Sequence, residues 1–427
     1  MDSFATIVSI LYQFATNGAF LLLSALGLIV ILSMMNIINL AHGELMMMGA
    51  YTASIAWHRG VPFWLCAILA FLVVALFGAL LERTIVRRFY GRELGALVVI
   101  SGISLILSQG ALMVFGPFLP AIPGRRHELT EAKQGKYHYV YGPYAEPVLR
   151  IAPGDIVVAE TKDAFEGKIK SETDSPTKLL HGPIAIEGAA KGDVLCVHIH
   201  SIKPRGPQPI GTTALIPEFG GLVATNNTAL LNAPLPERVK KMEVTEKGIK
   251  FNASITLPYE PFIGTLGVSP EIEAITSLQP DYYGGNMDLP DVAPGAVVYF
   301  PVHHTDGYLY LGDCHATQGD GELCGVAVEM DSTTIVQVDL IKNWNIAWPR
   351  LETEDFIMVI GSTRPMEDAA RIAYRELVRR LEEDYGFDVY EAYFLLTQAG
   401  RVRLGNMVDP KYTLGASILK RYLPTQD

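Results

Sequence analysis

No Asp, Glu, Lys or Arg occurs between Ser3 and Ala41. A helix crosses a bilayer with roughly 20 apolar residues, so this run holds one full span, expected within residues 12–34, plus a shorter leading piece. Residues 45–57 are uncharged but short, which suits a re-entrant or tilted segment. Residues 61–81 read as a second clean span. Residues 94–123 form the last uncharged stretch, interrupted by Gly102, Gly110, Gly116 and Pro117. The expectation is an α-helical transmembrane bundle of three or four helices. A signal peptide does not explain the first run, because it lacks a basic leader and the apolar segments repeat.

Charge is divided unevenly. Of 34 basic and 45 acidic residues in the 427-residue chain, only five and four stand in residues 1–123. The rest of the chain carries nearly all the charge, so a domain boundary is placed near Pro123-Gly124, giving domains 1–122 and 123–427. The formal net charge of -11 lacks the basic footprint of a nucleic-acid binder. Four cysteines exclude a disulfide scaffold.

Within the first part, residues 82–93 hold Arg83, Arg87, Arg88 and Arg92, which the positive-inside rule places in the cytoplasm. The run Asn36-Ile37-Ile38-Asn39-Leu40-Ala41-His42-Gly43-Glu44-Leu45-Met46-Met47-Met48-Gly49-Ala50-Tyr51 puts a His and a Glu between apolar segments. Such groups are costly there unless they pair or line a cavity; an interfacial turn with both in the headgroups is the plainer reading. Gly43 and Gly49 allow close helix packing.

This run, with Leu81-Glu82-Arg83 and Arg87 after it, resembles the permeases of branched-chain amino acid and urea ABC transporters. The resemblance spans about residues 1–120, under half of such a permease. It implies a multi-pass protein of the inner cell membrane, with His42 and Glu44 on a transport pathway. No later helices and no coupling loop for an ATPase subunit follow, which speaks against ATP-driven transport and leaves a passive pore built from several copies.

The second part alternates short β-type runs with Gly and Pro. Residues 155–160, 193–200 and 296–302 are examples, two of them after the turns Ala152-Pro153-Gly154-Asp155 and Ala293-Pro294-Gly295-Ala296. A β-sandwich or barrel is expected, followed by an α+β C-terminal portion with helices over 366–384 and near 389–398. The densest polar cluster is Gly312-Asp313-Cys314-His315-Ala316-Thr317-Gln318-Gly319-Asp320-Gly321-Glu322, after the apolar run 307–311. Residues two apart on a strand share a face, so Asp313 with His315, and Asp320 with Glu322, can be brought together. A carboxylate beside an imidazole binds a divalent ion or passes protons; a solvated glycine turn is the bland alternative. Asp163, Glu187, Asn286 and Asp288 also break apolar surroundings.

These clusters resemble the acetamidase/formamidase family over about residues 124–420. The carrying motifs are Gly182-Pro183-Ile184-Ala185-Ile186-Glu187-Gly188-Ala189, Gly264-Thr265-Leu266-Gly267-Val268-Ser269-Pro270-Glu271, Gly284-Gly285-Asn286-Met287-Asp288, and 312–322 with Gly325 and Glu329 beyond. Four motifs in order are specific. The resemblance implies a mostly-β catalytic domain that hydrolyses a short amide to a carboxylate and ammonia, with a bound divalent metal, zinc or calcium. Asp163, Asp313 and His315 are the expected metal or water ligands. Glu187 and Glu322 are expected to transfer protons, Asn286 and Asp288 to orient the amide, and Asp320 to serve either the site or its turn. No cysteine nucleophile is expected.

The combined expectation is a membrane-tethered amidase for formamide, acetamide or urea, with a permease-like pore or anchor. The rival is a small-amide channel capped by an oligomerising amidase-like domain. The expected partners are the small amide, the lipid membrane and further copies of the chain. The side of the membrane is open from the spans alone; reduced cysteines and the habit of the amidase family favour the cytoplasm.

Overall fold

The computed structural model describes residues 42–58, 61–89, 99–108, 124–164, 179–215, 220–222, 236 and 238–424. The chain divides into two compact units, Met1–Ile122 and Pro123–Asp427.

In the first unit, His42–His58 is a 17-residue helix. At 1.5 Å per residue it is about 26 Å long, short of the roughly 30 Å hydrocarbon core. It packs against Phe63–Thr84, which starts after Pro62 and ends beside the basic turn Val86–Phe89. Among the described residues one helix, Trp64–Thr84, is long and apolar enough to cross a membrane. Phe71 and Leu76 on it are exposed, as a lipid-facing surface requires. Val99–Ser108 is a shorter apolar helix. The span expected over 12–34 lies outside the described residues, as does the glycine-interrupted end of 94–123.

The described residues of the second unit form four sheets, and the two largest build its core. Nine strands run in the order Arg126–Leu129, Asp155–Thr161, Ser332–Ile341, Val194–Pro204, Val297–Pro301, Arg350–Glu352, Phe356–Thr363, Tyr412–Leu419, Arg401–Asn406. The first pair is parallel and the others antiparallel. Five strands form the second sheet, in the order Gly284–Asn286, Phe262–Val268, Leu309–His315, His181–Ile186, Leu149–Ile151. One core cluster draws on both, with Val157, Val197, Val298 and Val336 from the large sheet and Ile184, Ile263, Leu266 and Leu311 from the small one. A sandwich core is what apolar residues on facing strands build. The anticipated turns do use positive φ, at Gly154 and Gly295.

On the Phe356–Thr363 strand, Met358 and Ile360 join the sandwich core, while Ile357 and Val359 face a second core. The period of two explains why both faces are apolar. That second core receives Ala373, Leu377 and Leu381, one face of the helix Met366–Tyr385. The helix closes at Gly386, φ +70°, whose N–H bonds back to Leu381 and Glu382. Asp388 caps the next helix, Val389–Ala399, accepting from the N–H groups of Tyr390 and Glu391.

Candidate active site

The site lies at one end of the five-stranded sheet. Phe262 pairs with His315 and Thr265 with Gly312 across the two central strands. Asp313, between them, leaves the extended run with φ +58°, and Asp288 and Glu322 share that conformation at +43° and +49°. Residues with a Cβ enter this region at a cost of about 1–3 kcal/mol unless a local bond helps. All three are at most 3% exposed. Strain and burial on three acids at one place mark a site over-determined by its surroundings. Gly264 makes room for it: a Cβ there would stand 2.6 Å from Asp288 Oδ1 and 2.8 Å from Asp313 Oδ2.

His315 sits at the centre. Gln318 Nε2 donates to the carbonyls of Asp288 at 2.7 Å and Gly405 at 3.0 Å. Its amide is thereby oriented, and its Oε1 faces His315 Nδ1 at 3.0 Å. Nδ1 must then carry the proton, so Nε2 points at carboxylates. Glu329 Oε2 is 3.1 Å away, Asp313 Oδ1 3.2 Å and Asp288 Oδ1 3.9 Å. Burial alone would lower the imidazole pKa, but Glu329 and Asp313 outweigh it and hold the group well above its usual 6.5. Phe262 packs edge-on against the ring, 4.8 Å between centroids.

A second layer comes from the C-terminal strand pair. Asn286 Nδ2 donates to Asp409 Oδ2 at 2.5 Å, and Thr265 Oγ1 lies 2.9 Å from Asp313 Oδ2. Asn406 Nδ2 reaches the carbonyls of Asn286 and Met287, and its Oδ1 accepts from the Asp409 N–H. Asp409 is fully buried.

Three sets of donor atoms each fall within 4.8 Å: Asp288, Asp313 and His315; His315, Glu322 and Glu329; Asp288, Glu322 and Asp409. Each set shares one residue with each of the others. Buried carboxylates in this number call for positive charge. One oriented imidazole nitrogen among carboxylate oxygens is a donor set that fits a divalent cation. The same carboxylates can take and return protons.

Asn286, Asp288, Asp313, His315 and Glu322 are therefore brought together. Three expected residues are not. Glu187 is exposed and follows the far end of His181–Ile186. Leu309 pairs with Ile184 and Leu311 with His181, so His315 lies at the opposite end of its strand, about 20 Å from Ile184 at 3.3 Å per residue, and Glu187 is three residues further on. Asp320 is exposed and pairs with Arg403 at 2.9 Å. Asp163 is half-buried; its N–H donates to Asp331 at 2.8 Å, and it belongs to none of the three donor sets. In the sequence Glu329 stands out only as the end of a motif, and Gln318, Asn406 and Asp409 carry no signal of their own. In the first unit Glu44 accepts a bond from Ser104 at 2.5 Å. His42 opens its helix, and its side chain lies outside the described residues.

Two family models match the chain. The acetamidase/formamidase model covers residues 126–280 and 272–424. The model of the branched-chain amino acid transport system permease component covers residues 10–121. A solved acetamidase from Yersinia enterocolitica is 51% identical and covers 75% of this chain and 99% of its own, with a TM-score of 0.70. A formamidase from Methylophilus methylotrophus is 26% identical over 275 residues, 49% of this chain and 65% of that protein. An acetamidase from Mycolicibacterium smegmatis is 26% identical over 269 residues, 48% of this chain and 66% of that protein. The chain thus spans just under two thirds of these two curated relatives.

Proposed function

Because the chain belongs to the acetamidase/formamidase family, we propose that it is an amidase that hydrolyses short amides such as formamide and acetamide to a carboxylate and ammonia. The observation that carries the reading is His315, its Nδ1 fixed by Gln318 and its Nε2 facing Glu329, Asp313 and Asp288. Water attacks the carbonyl carbon, the C–N bond breaks, and nitrogen leaves as ammonia. Glu322 takes a proton from the attacking water and returns it to the departing nitrogen. Asn286, held by Asp409, and Asp288, held in its left-handed turn, orient the amide. His315 Nε2 with Asp288 and Asp313 would hold the divalent ion, zinc or calcium, and the nitrogen donor favours zinc. When bound, that ion polarises the carbonyl and lowers the pKa of water.

The permease match and the helix Trp64–Thr84 support membrane association of the first unit. The finer reading is a multi-pass tether in the inner membrane that serves as anchor or pore, in a homo-oligomer, with the amidase facing the cytoplasm. The Glu44–Ser104 pair is the candidate polar lining. Hydrolysis behind such a pore keeps substrate low and draws more in. The rival, a channel with an inert cap, is disfavoured because its cap would have no reason to keep strained acids around an oriented imidazole.

The test is ammonia release from the purified full chain with formamide and acetamide, in sealed proteoliposomes and after detergent. His315→Ala should lower turnover at least about a hundredfold. Near-normal turnover in that variant removes the site assignment. Release only after detergent removes the pore and leaves the anchor.

A further inference from the structure

We propose that two copies of the chain pair through the helices Met366–Tyr385 and Val389–Ala399, the aromatic ridge of Tyr390, Tyr393 and Phe394 on each copy lying in the helix groove of the other. This gives the proposed homo-oligomer its surface and rests on that reading. The groove has a volume of about 670 Å³ and runs between the two helices, where Tyr374, Val378, Tyr393 and Leu396 line it together with Arg371, Arg375 and Glu382.

The ridge follows from helix geometry. Residues three and four apart share a face, so Tyr390, Tyr393 and Phe394 stand together, and they are 72%, 66% and 60% exposed. Ala392 and Leu396 on the same helix are buried in the second core. The helix is thus apolar towards the core and towards solvent, whereas a helix lying on a single core is polar on its outer face. An aromatic side chain carries about 150–250 Å², so the ridge offers roughly 400 Å², the size of a functional surface patch. A ridge covers an equal area of groove, and a twofold pair does so twice. The pair therefore buries about 1,500 Å², the standard size of a specific interface.

Charge fixes the direction of the pairing. Residues 386–388 turn the chain between the two helices, which run antiparallel as a helical hairpin. A Cβ on Gly400, just past the second helix, would stand 3.1 Å from Tyr374 Cε1. The groove thus runs from Glu382 beside the turn to Arg371 and Arg375 beside Gly400. Arg375 and Arg379 share one carboxylate, that of Glu376, so this row carries more positive charge than its nearest acid matches. The ridge begins with Glu391, exposed beside Tyr390 and after the Asp388 cap. Laid parallel, a second copy would bring its Glu391 to Glu382. Laid antiparallel, it brings Glu391 to Arg371 and Arg375, and the twofold axis makes that contact twice. A lipid surface fits less well, because Asp388, Glu391 and Glu382 flank the ridge and an anionic leaflet repels them.

The experiment uses the full chain in detergent with the photo-crosslinking substitution Phe394→benzoylphenylalanine. Copies with light and heavy nitrogen are mixed and irradiated, and the joined peptides are mapped by mass spectrometry. The expected product is a covalent dimer that joins the substituted helix of one copy to the Met366–Tyr385 helix of the other. Arg375→Glu should cut its yield at least about tenfold, since like charges then meet twice. Arg375→Glu combined with Glu391→Arg should restore it, with circular dichroism verifying the fold of each variant. A chain that is multimeric by light scattering but joins elsewhere, joins only detergent or lipid, or ignores the charge swap overturns this interface and leaves the homo-oligomer. A monomeric chain overturns both.

Discussion

Gly264→Ala places one methyl group against the carboxylates of Asp288 and Asp313 and the Asp313 carbonyl. Its Cβ would stand 2.6 Å from Asp288 Oδ1, 2.8 Å from Asp313 Oδ2 and 2.9 Å from the Asp313 carbonyl. Ordinary contact begins near 3.4 Å, so the nearest oxygen must retreat by about 0.8 Å. The surroundings resist that movement: Asp313 is held by Thr265 at 2.9 Å, and Asp288 and Asp313 are both fully buried. Overpacking of this kind costs about 1–3 kcal/mol, which in a unit of this size lowers the melting temperature by only several degrees. Misplacing a reacting group by about 1 Å costs on the order of a hundredfold in rate. The rate effect should dominate. Turnover of acetamide at 25 °C is expected to drop by roughly a hundredfold while the protein stays folded by circular dichroism. A variant that keeps wild-type turnover would show that the two carboxylates are not held at the geometry the reaction uses.

Glu187→Ala should leave turnover within about twofold of wild type, since exposed substitutions away from a site rarely matter; a hundredfold loss, read in the same ammonia assay, would return Glu187 to the mechanism. Gln318→Met keeps length but loses the orienting bonds, and should lower metal affinity or turnover by about 10–100-fold; wild-type metal affinity and turnover in that variant would refute the orienting role. Stability should depend on pH through His181, whose pKa burial pushes down to about 4. The folded pKa lies below the unfolded 6.5, so its contribution is complete above pH 6.5 and is lost as pH falls towards 4. At 1.36 kcal/mol per unit this is roughly 3 kcal/mol, and denaturant melts of His181→Gln against wild type between pH 7 and 4 check it; equal slopes would refute it.

The strands and the two C-terminal helices were legible because burial on one or both faces writes its period into the sequence. The Met366–Tyr385 helix shows its apolar face through Ala373, Leu377 and Leu381. Alternation also brought out Asp313 and His315. It worked less well beyond them, because it assumes an extended backbone. At Gly321, φ +89°, the chain turns: Glu322 swings inward, and Asp320 is left on the surface with Arg403. Glu187 stood out as an acid in an apolar run, yet the run ends at Ile186 and the acid falls into solvent. Asp409 carried no local signal. It meets Asn286 across 123 residues of sequence, and no periodicity encodes such a contact.

That long contact explains how the strained acids persist. Asp288 and Asp313 come from the five-stranded sheet and the loop at its edge, Glu322 and Glu329 from the segment after it, and Asp409 from the turn between Arg401–Asn406 and Tyr412–Leu419 in the nine-stranded sheet. No one segment can relax without pulling another: Gln318 ties the His315 ring to the backbone at Asp288 and Gly405, and Asn406 ties the backbone at Asn286 and Met287 to Asp409. Left-handed turns at three acids cost about 1–3 kcal/mol each, and gathering their charges costs more. A fold bears such terms where it is fixed from several sides at once, and here both sheets of the sandwich supply the restraint. The C-terminal strand pair is thus as much a part of the candidate site as the His315 strand, although it adds one carboxylate and one amide to it.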